Sequence, residues 1–184
     1  MKDVEKTVFV IIGGSGDLAR KKICPALFAL YCQQRLPEPF RIVGFGRSEL
    51  RDDEYRARIA GNLTCRYTPD PVSCASKMDE FLEACSYVQG RYGDPDSFLD
   101  LHEHMRGLGG FHRASGVFYM AIPPTVFLKT ARALGDSGMI SCDDRPFWTR
   151  AVIEKPFGRD RSSSDELAAG LAQVFNERQT YRID

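Results

Sequence analysis

The sequence predicts an α/β protein built as a doubly wound, mainly parallel sheet with helices on both faces. Strand-like and helix-like runs alternate along its 184 residues. The first and last strand-like runs are nearly continuous apolar stretches, as expected of strands buried on both faces. The first of them also passes straight into a glycine-rich turn and a helical stretch, and strands separated by helices must cross over to lie parallel.

Strands are expected at Thr7 to Ile12, Phe40 to Gly44, Ser86 to Gln89, Gly116 to Ala121 and Arg150 to Glu154. Each is short, rich in β-branched or aromatic residues, and bounded by Gly, Pro or Asp. Helices are expected near Leu18 to Gln34, Asp52 to Leu63, Ser76 to Ala84, Ser97 to Arg106, Thr125 to Leu134 and Ser164 to Asn176. Pro37-Glu38-Pro39 marks the turn before the second strand. Ser163, with Glu166 three residues later, reads as the capping box of the last helix. No internal repeat or low-complexity linker interrupts the pattern.

The composition, 43% hydrophobic and 27% charged, excludes an intrinsically disordered chain. A domain of this length buries roughly 70% of its unfolded surface, enough for a core without disulfide staples. Twenty-five basic and twenty-five acidic residues give no net charge, which argues against a nucleic-acid binder. Val8 to Ile12 and Val117 to Ile122 are the longest apolar runs, far below the ~20 residues of a membrane span, so no membrane partner is expected. The first run follows Lys2, Asp3, Glu5 and Lys6 without a small-residue cleavage site, so a cytoplasmic location is expected. Cys24, Cys32, Cys65, Cys74, Cys85 and Cys142 show no C-x-x-C spacing and read as reduced, mostly packing thiols.

The most informative stretch is Gly13-Gly14-Ser15-Gly16-Asp17-Leu18-Ala19-Arg20, directly after the first strand. Glycine permits positive φ and close backbone approach, and the N–H groups opening a helix attract anions. Gly14, Gly16 and Ala19 match the G-x-G-x-x-G/A pattern of dinucleotide-binding, Rossmann-type folds, with Ala19 as the small residue packing helix on strand. A P-loop is excluded, because neither Gly13 nor Gly14 has a glycine five positions on. A nucleophile elbow fails at Asp17, where its last glycine belongs.

The second strand bears on coenzyme choice. An NAD site carries an acidic residue at its end, whereas here Phe45-Gly46 leads to Arg47-Ser48, 31 residues past Gly16 for the arginine. NADP is therefore favoured, with Arg47 on the 2′-phosphate; a solvated surface arginine is the alternative. Ser48 reads equally as a phosphate ligand or a helix cap. Ala151 to Glu154 delivers Lys155 to the strand end where such folds bind ligands, and Pro156 forces Lys155 to be extended and permits a cis bond. On residues alone, Lys155 is as well read as a surface charge. His102, His104 and His112 read as solvent-exposed, their spacing is no usual zinc arrangement, and no metal is expected.

Gly13 to Ala19, Glu154-Lys155-Pro156-Phe157-Gly158 and Tyr181-Arg182-Ile183-Asp184, taken in this order, resemble the glucose-6-phosphate dehydrogenases. Phe118 to Pro124 looks like that family's fourth-strand segment. The resemblance implies that residues 1–184 form the NADP-binding domain of an oxidoreductase, ending before a substrate and catalytic β+α domain. The implied reaction moves hydride from C1 of glucose 6-phosphate to NADP, giving 6-phosphogluconolactone and NADPH, the first step of the pentose phosphate pathway. It further implies that Gly13, Gly14, Ser15, Gly16, Asp17, Leu18, Ala19 and Arg20 hold the pyrophosphate, and that Ser15 and Arg47 meet the 2′-phosphate. Lys155 would face both nicotinamide and sugar, and Asp184 would orient a catalytic histidine beyond residue 184. Arg20 stands where members commonly have Lys, and Phe127 where some carry a coenzyme-contacting Tyr.

The same resemblance implies a homodimer or homotetramer for the longer protein, an inactive chain at this length, and apolar surface left bare by the absent domain. The alternative is an NADP-binding regulatory or redox-sensing module without catalysis, which would not need residues 154–158 or 181–184.

Overall fold

The computed structural model describes residues 6–67, 71–109, 113–141, 147–155 and 160–183. Among them, six strands form one sheet in which each neighbouring pair is parallel: β1 (Thr7–Ile12), β2 (Phe40–Gly46), β3 (Cys85–Gln89), β4 (Ser115–Met120), β5 (Thr149–Glu154) and β6 (Thr180–Ile183). Their order is β3-β2-β1-β4-β5-β6, so the chain reverses direction across the sheet between β1 and β4. That is the doubly wound arrangement whose ligand crevice lies at the reversal, outside the carboxyl ends of the strands. Ile12 pairs with both Phe45 and Met120, so the three central strands end level and their loops open on one edge.

The pleat sends successive side chains of β1 to opposite faces. Val8, Val10 and Ile12 join Val43, Phe45, Phe118 and Met120 under α4 (Pro95–Gly107), α5 (Phe127–Asp136) and α6 (Arg161–Leu171), which contribute Phe98, Leu101, Phe127, Leu134, Leu167 and Leu171. Ile11 faces the other side, with Ile42, beneath α1 (Cys24–Cys32), α2 (Asp52–Ala60) and α3 (Pro71–Glu83). There Phe28 meets Phe81 edge-on at 5.3 Å, and Tyr31 meets Phe40 at 5.4 Å. The near-continuous apolar composition of β1 follows from this burial on both faces.

Several expectations change. The first helix begins with a π-helical turn, Ala19–Ile23, in which the Cys24 N–H donates to the Ala19 oxygen five residues back. Pro25, at the start of α1, has no N–H to continue the ordinary ladder, and the wider turn absorbs that break. The last helix starts earlier than Ser164 and stops at Leu171. Its cap is Asp160, whose Oδ1 accepts the Ser163 N–H at 2.8 Å while the Asp160 N–H donates back to Ser163 Oγ. Ser163 is thus the third helical residue rather than the cap, and Glu166 has no part in the box.

Cys65 and Cys74 form a disulfide, Cα to Cα 5.7 Å, which ties a 3-10 turn (Cys65–Tyr67) to α3 and corrects the reading of all cysteines as reduced. Cys24, Cys32 and Cys85 are free and buried; Cys142 lies outside the described residues. Burial pushes the Cys24 thiol up to about 11. Among the described residues the large exposed apolar side chains are Leu30, Leu99 and Tyr181, on three different elements.

Candidate functional site

The turn after β1 is built by sterics. Gly13 has φ +94°, and a Cβ there would lie 2.2 Å from the Ala121 carbonyl oxygen at the end of β4. On the other side, the N–H groups of Gly13 and Gly14 both donate to the Phe45 oxygen of β2, at 2.8 and 3.0 Å. The turn is therefore clamped between the tips of β2 and β4, at the reversal point of the sheet.

Two adjoining cavities open on this edge. One, of about 370 Å³, is lined by Gly13, Ser15, Gly16, Arg47, Ser48, Tyr92, Ala121, Ile122 and Pro123. The other, of about 620 Å³, continues past Arg47 and Tyr92, which belong to both. The Arg47 guanidinium lies 5.6 Å from the Tyr92 ring centre, a cation–π contact that fixes a flat, charged surface at the tip of β2. Ser48 Oγ donates to Ser15 Oγ at 3.0 Å, and the cap position of α2 falls at Arg51, so Ser48 belongs to the cleft and not to a helix end.

A Cβ on Gly46 would stand 2.9 Å from the Tyr87 hydroxyl, 3.2 Å from Ser15 Oγ and 3.4 Å from the Tyr92 hydroxyl, so this glycine lets three hydroxyls converge. The Tyr87 hydroxyl is buried, with the Ser15 and Ser48 hydroxyls as its polar neighbours. Burial raises the Tyr87 phenol above its ordinary value, keeping it a donor. A glycine turn opening a helix, converging hydroxyls and an arginine backed by an aromatic ring fit the phosphates and ribose of a dinucleotide.

The sequence matches the family model described as the NAD-binding domain of glucose-6-phosphate dehydrogenase over residues 10–184. The chain belongs to the glucose-6-phosphate dehydrogenase family. It is 41% identical over 174 residues to the chloroplastic glucose-6-phosphate 1-dehydrogenase of Solanum tuberosum, covering 95% of this chain and 29% of that protein. It is 39% identical over 174 residues to a protein of Arabidopsis thaliana named inactive glucose-6-phosphate 1-dehydrogenase 4, chloroplastic, covering 95% of this chain and 27% of that one. A solved structure described as glucose-6-phosphate dehydrogenase in complex with its substrate glucose-6-phosphate superposes with a TM-score of 0.85 at 33% identity, over 98% of this chain and 36% of that one. The chain thus spans about a third or less of the length of these glucose-6-phosphate dehydrogenase relatives.

Of the residues that the family pattern singles out, Gly13, Ser15, Gly16 and Arg47 line the same cavity. Gly14 is instead packed against β2, where its Cβ would lie 2.6 Å from Gly44 Cα. Leu18 and Ala19 do not line it, and Ala19 is fully buried against the sheet. Asp17 is exposed and bonded to both Arg20 and Lys21 at 2.7 Å, and these cations, Lys21 foremost, hold its carboxyl below the usual range. Phe127 is 1% exposed in the core and turns no surface to the cleft.

Lys155 stands exposed at the end of β5, and its N–H donates to the Ile183 oxygen at 3.0 Å, so the two distant family motifs meet as neighbouring strands. Beside it, the Tyr119 hydroxyl donates to the Glu154 carboxylate across β4 and β5. Pro156, Phe157, Gly158, His112 and Asp184 lie outside the described residues.

His102 and His104 are half-buried rather than exposed. His104 Nε2 lies 2.9 Å from Ser86 Oγ, and burial lowers its pKa. The fold supplies further cavity residues that the sequence reading missed: Tyr92, Arg91 and Lys129.

Proposed function

We propose that this chain is an NADP-binding domain serving oxidation of glucose 6-phosphate to 6-phosphogluconolactone. The observation that carries the coenzyme choice is Arg47, braced on Tyr92 at the tip of β2 beside Ser15 and Ser48, where among the described residues no carboxylate lines the smaller cavity. On this reading, the larger cavity takes the adenosine end and the clamped glycine turn takes the pyrophosphate. The nicotinamide then lies toward the tips of β4 and β5, near Lys155. The chemistry supplied by bound NADP is acceptance of a hydride from the sugar.

Within this proposal, Arg47, Ser15 and Ser48 bind and orient the 2′-phosphate end, while Gly13 and Gly16 give the pyrophosphate room beside the helix start. Lys155 positions sugar and coenzyme, and Asp184 orients the base. The proposal further assigns the base itself to residues beyond 184, so the 184-residue chain binds coenzyme without turnover. In the longer protein the expected assembly is a homodimer or homotetramer.

Calorimetric titration of the chain with NADP and NAD, repeated on Arg47→Ala, tests the coenzyme assignment. One charge-assisted phosphate contact, at about 1.5–3 kcal/mol, gives roughly ten- to hundredfold preference for NADP. The variant is expected to lose that preference and keep its affinity for NAD. Equal affinity for the two coenzymes in the unaltered chain would overturn the assignment.

A non-catalytic reading has one observation in its favour: a relative named inactive is 39% identical over this region. It differs in its expectation for glucose 6-phosphate oxidation by the longer protein, and not in coenzyme binding by this one.

A further inference from the structure

The larger cavity holds more positive charge than one phosphate contact accounts for. Arg47 follows β2, Arg91 follows β3 and Lys129 lies on α5, yet all three line the same 620 Å³. Three cations from three separate elements around one opening favour an anion there. The carboxylate in the lining, Asp94, is already committed: it caps α4 by accepting the Ser97 N–H at 3.3 Å and the Ser97 hydroxyl at 2.6 Å. The Ser97 bonds foremost, with the nearby Arg91 charge, hold that carboxyl below its usual range, so the lining still keeps a positive excess. Among the described residues, Arg47, Arg91 and Lys129 form no ion pair.

The backbone also makes room for Lys129. Gly93 has φ +83°, and a Cβ on it would lie 2.8–2.9 Å from the β, γ and δ carbons of Lys129. The lysine stem therefore lies across the loop after β3, where any larger residue than glycine would displace it. Arg91 is fixed at the start of the same loop: its N–H donates to Ser97 Oγ at 3.1 Å, and its oxygen accepts the Asp94 N–H at 3.3 Å.

We infer that Arg91 and Lys129 are specificity-determining residues, which close a three-cation clamp with Arg47 on the phosphomonoester at the adenosine end of the coenzyme. This rests on the NADP reading given above and deepens it. Neither arginine nor lysine here touches reacting atoms; both act on the choice of NADP over NAD.

The test is titration of the 184-residue chain with NADP and with NAD, for the unaltered protein, Arg47→Ala, Arg91→Gln with Lys129→Gln, and Lys129→Arg. Exposed charge pairs contribute ~0–1 kcal/mol each, so the double variant is expected to lose about tenfold in NADP affinity, with NAD unchanged. Its NADP affinity should also fall less steeply with added salt, since two screened contacts are gone. Lys129→Arg should retain the unaltered affinity.

A double variant that binds NADP as tightly as the unaltered chain overturns the inference, and if Arg47→Ala has meanwhile lost its preference, the NADP reading still stands. A double variant that loses NAD in equal measure also overturns it, because the side chains then shape the cavity without reading the phosphate. An unaltered chain without NADP preference sinks both readings together.

Discussion

Replacing Gly13 by alanine should unfold the protein more readily than any other single methyl added to the glycine turn. Two effects add. The φ of +94° lies where an L-residue is strained by about 1–3 kcal/mol. The new Cβ would stand 2.2 Å from the Ala121 oxygen, so β1 and β4 must part by about an ångström, an overpacking cost of roughly 1–3 kcal/mol. Retreat is blocked, because moving away from Ala121 drives the Gly13 N–H into the Phe45 oxygen of β2, already only 2.8 Å from the nitrogen.

The sum is about 2–6 kcal/mol, a large part of a typical stability of 5–15 kcal/mol. Gly16→Ala is the control. Its Cβ would meet only the Gly13 oxygen at 3.1 Å, and its φ is not positive, so its stability should change by about 1 kcal/mol or less. Gly16 lines the cavity, so that variant should instead weaken coenzyme binding. Urea denaturation followed by circular dichroism and by the fluorescence of the single tryptophan, Trp148, separates the two. Equal midpoints for the two variants would refute the assignment of Gly13 to chain geometry and Gly16 to the ligand.

Two further outcomes are expected. Closing the loop between Cys65 and Cys74, nine residues apart, restricts the unfolded chain, so reduction or the double serine variant should cost about 2–3 kcal/mol; an unchanged urea midpoint under reductant would count against this. His104 has its pKa lowered by burial beside Ser86, so the unfolded chain binds its proton more readily than the folded one does. Its contribution is full above the ordinary value of 6.5 and is lost as pH falls toward the lowered folded value. His104→Gln should flatten that part of the stability profile, and identical slopes for the two proteins between pH 7.5 and 5 would contradict it.

The sheet was legible where side chains are constrained on two faces. Val8 to Ile12 has no polar residue because both faces are covered, Phe9 alone being half-buried, and a run of that kind followed by Gly13-Gly14 has few other readings. β6 escaped for the opposite reason. Thr180 and Ile183 are half-buried and Tyr181 and Arg182 exposed, so the strand exists through pairing with β5 rather than through a pattern of its own. The cap of α6 was misplaced by three residues because Asp160 and Ser163 both suit a cap, and only the backbone tells which one precedes the helix. Arg47 was found from its place after β2. Arg91, Tyr92 and Lys129 were not, since residues on a loop and a helix so far apart in sequence become one surface only when β2, β3 and α5 come together. The disulfide escaped likewise, since spacing alone did not single out Cys65 and Cys74.

The central place of β1 has a consequence for how the chain is made. Thr7 pairs with Phe40 on one edge and with Ser115 on the other. The cluster beneath α1, α2 and α3 draws its buried members from residues up to Tyr87, so the leading half of a growing chain can complete that face. The opposite face needs Phe98 through Phe175. At roughly 5–20 residues per second, translation leaves an interval on the order of ten seconds between the emergence of Phe40 and that of Ser115. Once Tyr87 has emerged and before Ser115 follows, the nascent sheet has one side supplied with its core and one bare, with Val8, Val10, Val43 and Phe45 facing water and the outer edge of β1 open to any passing strand. The strand that anchors the finished domain is, while the ribosome is still at work, an edge without its second partner.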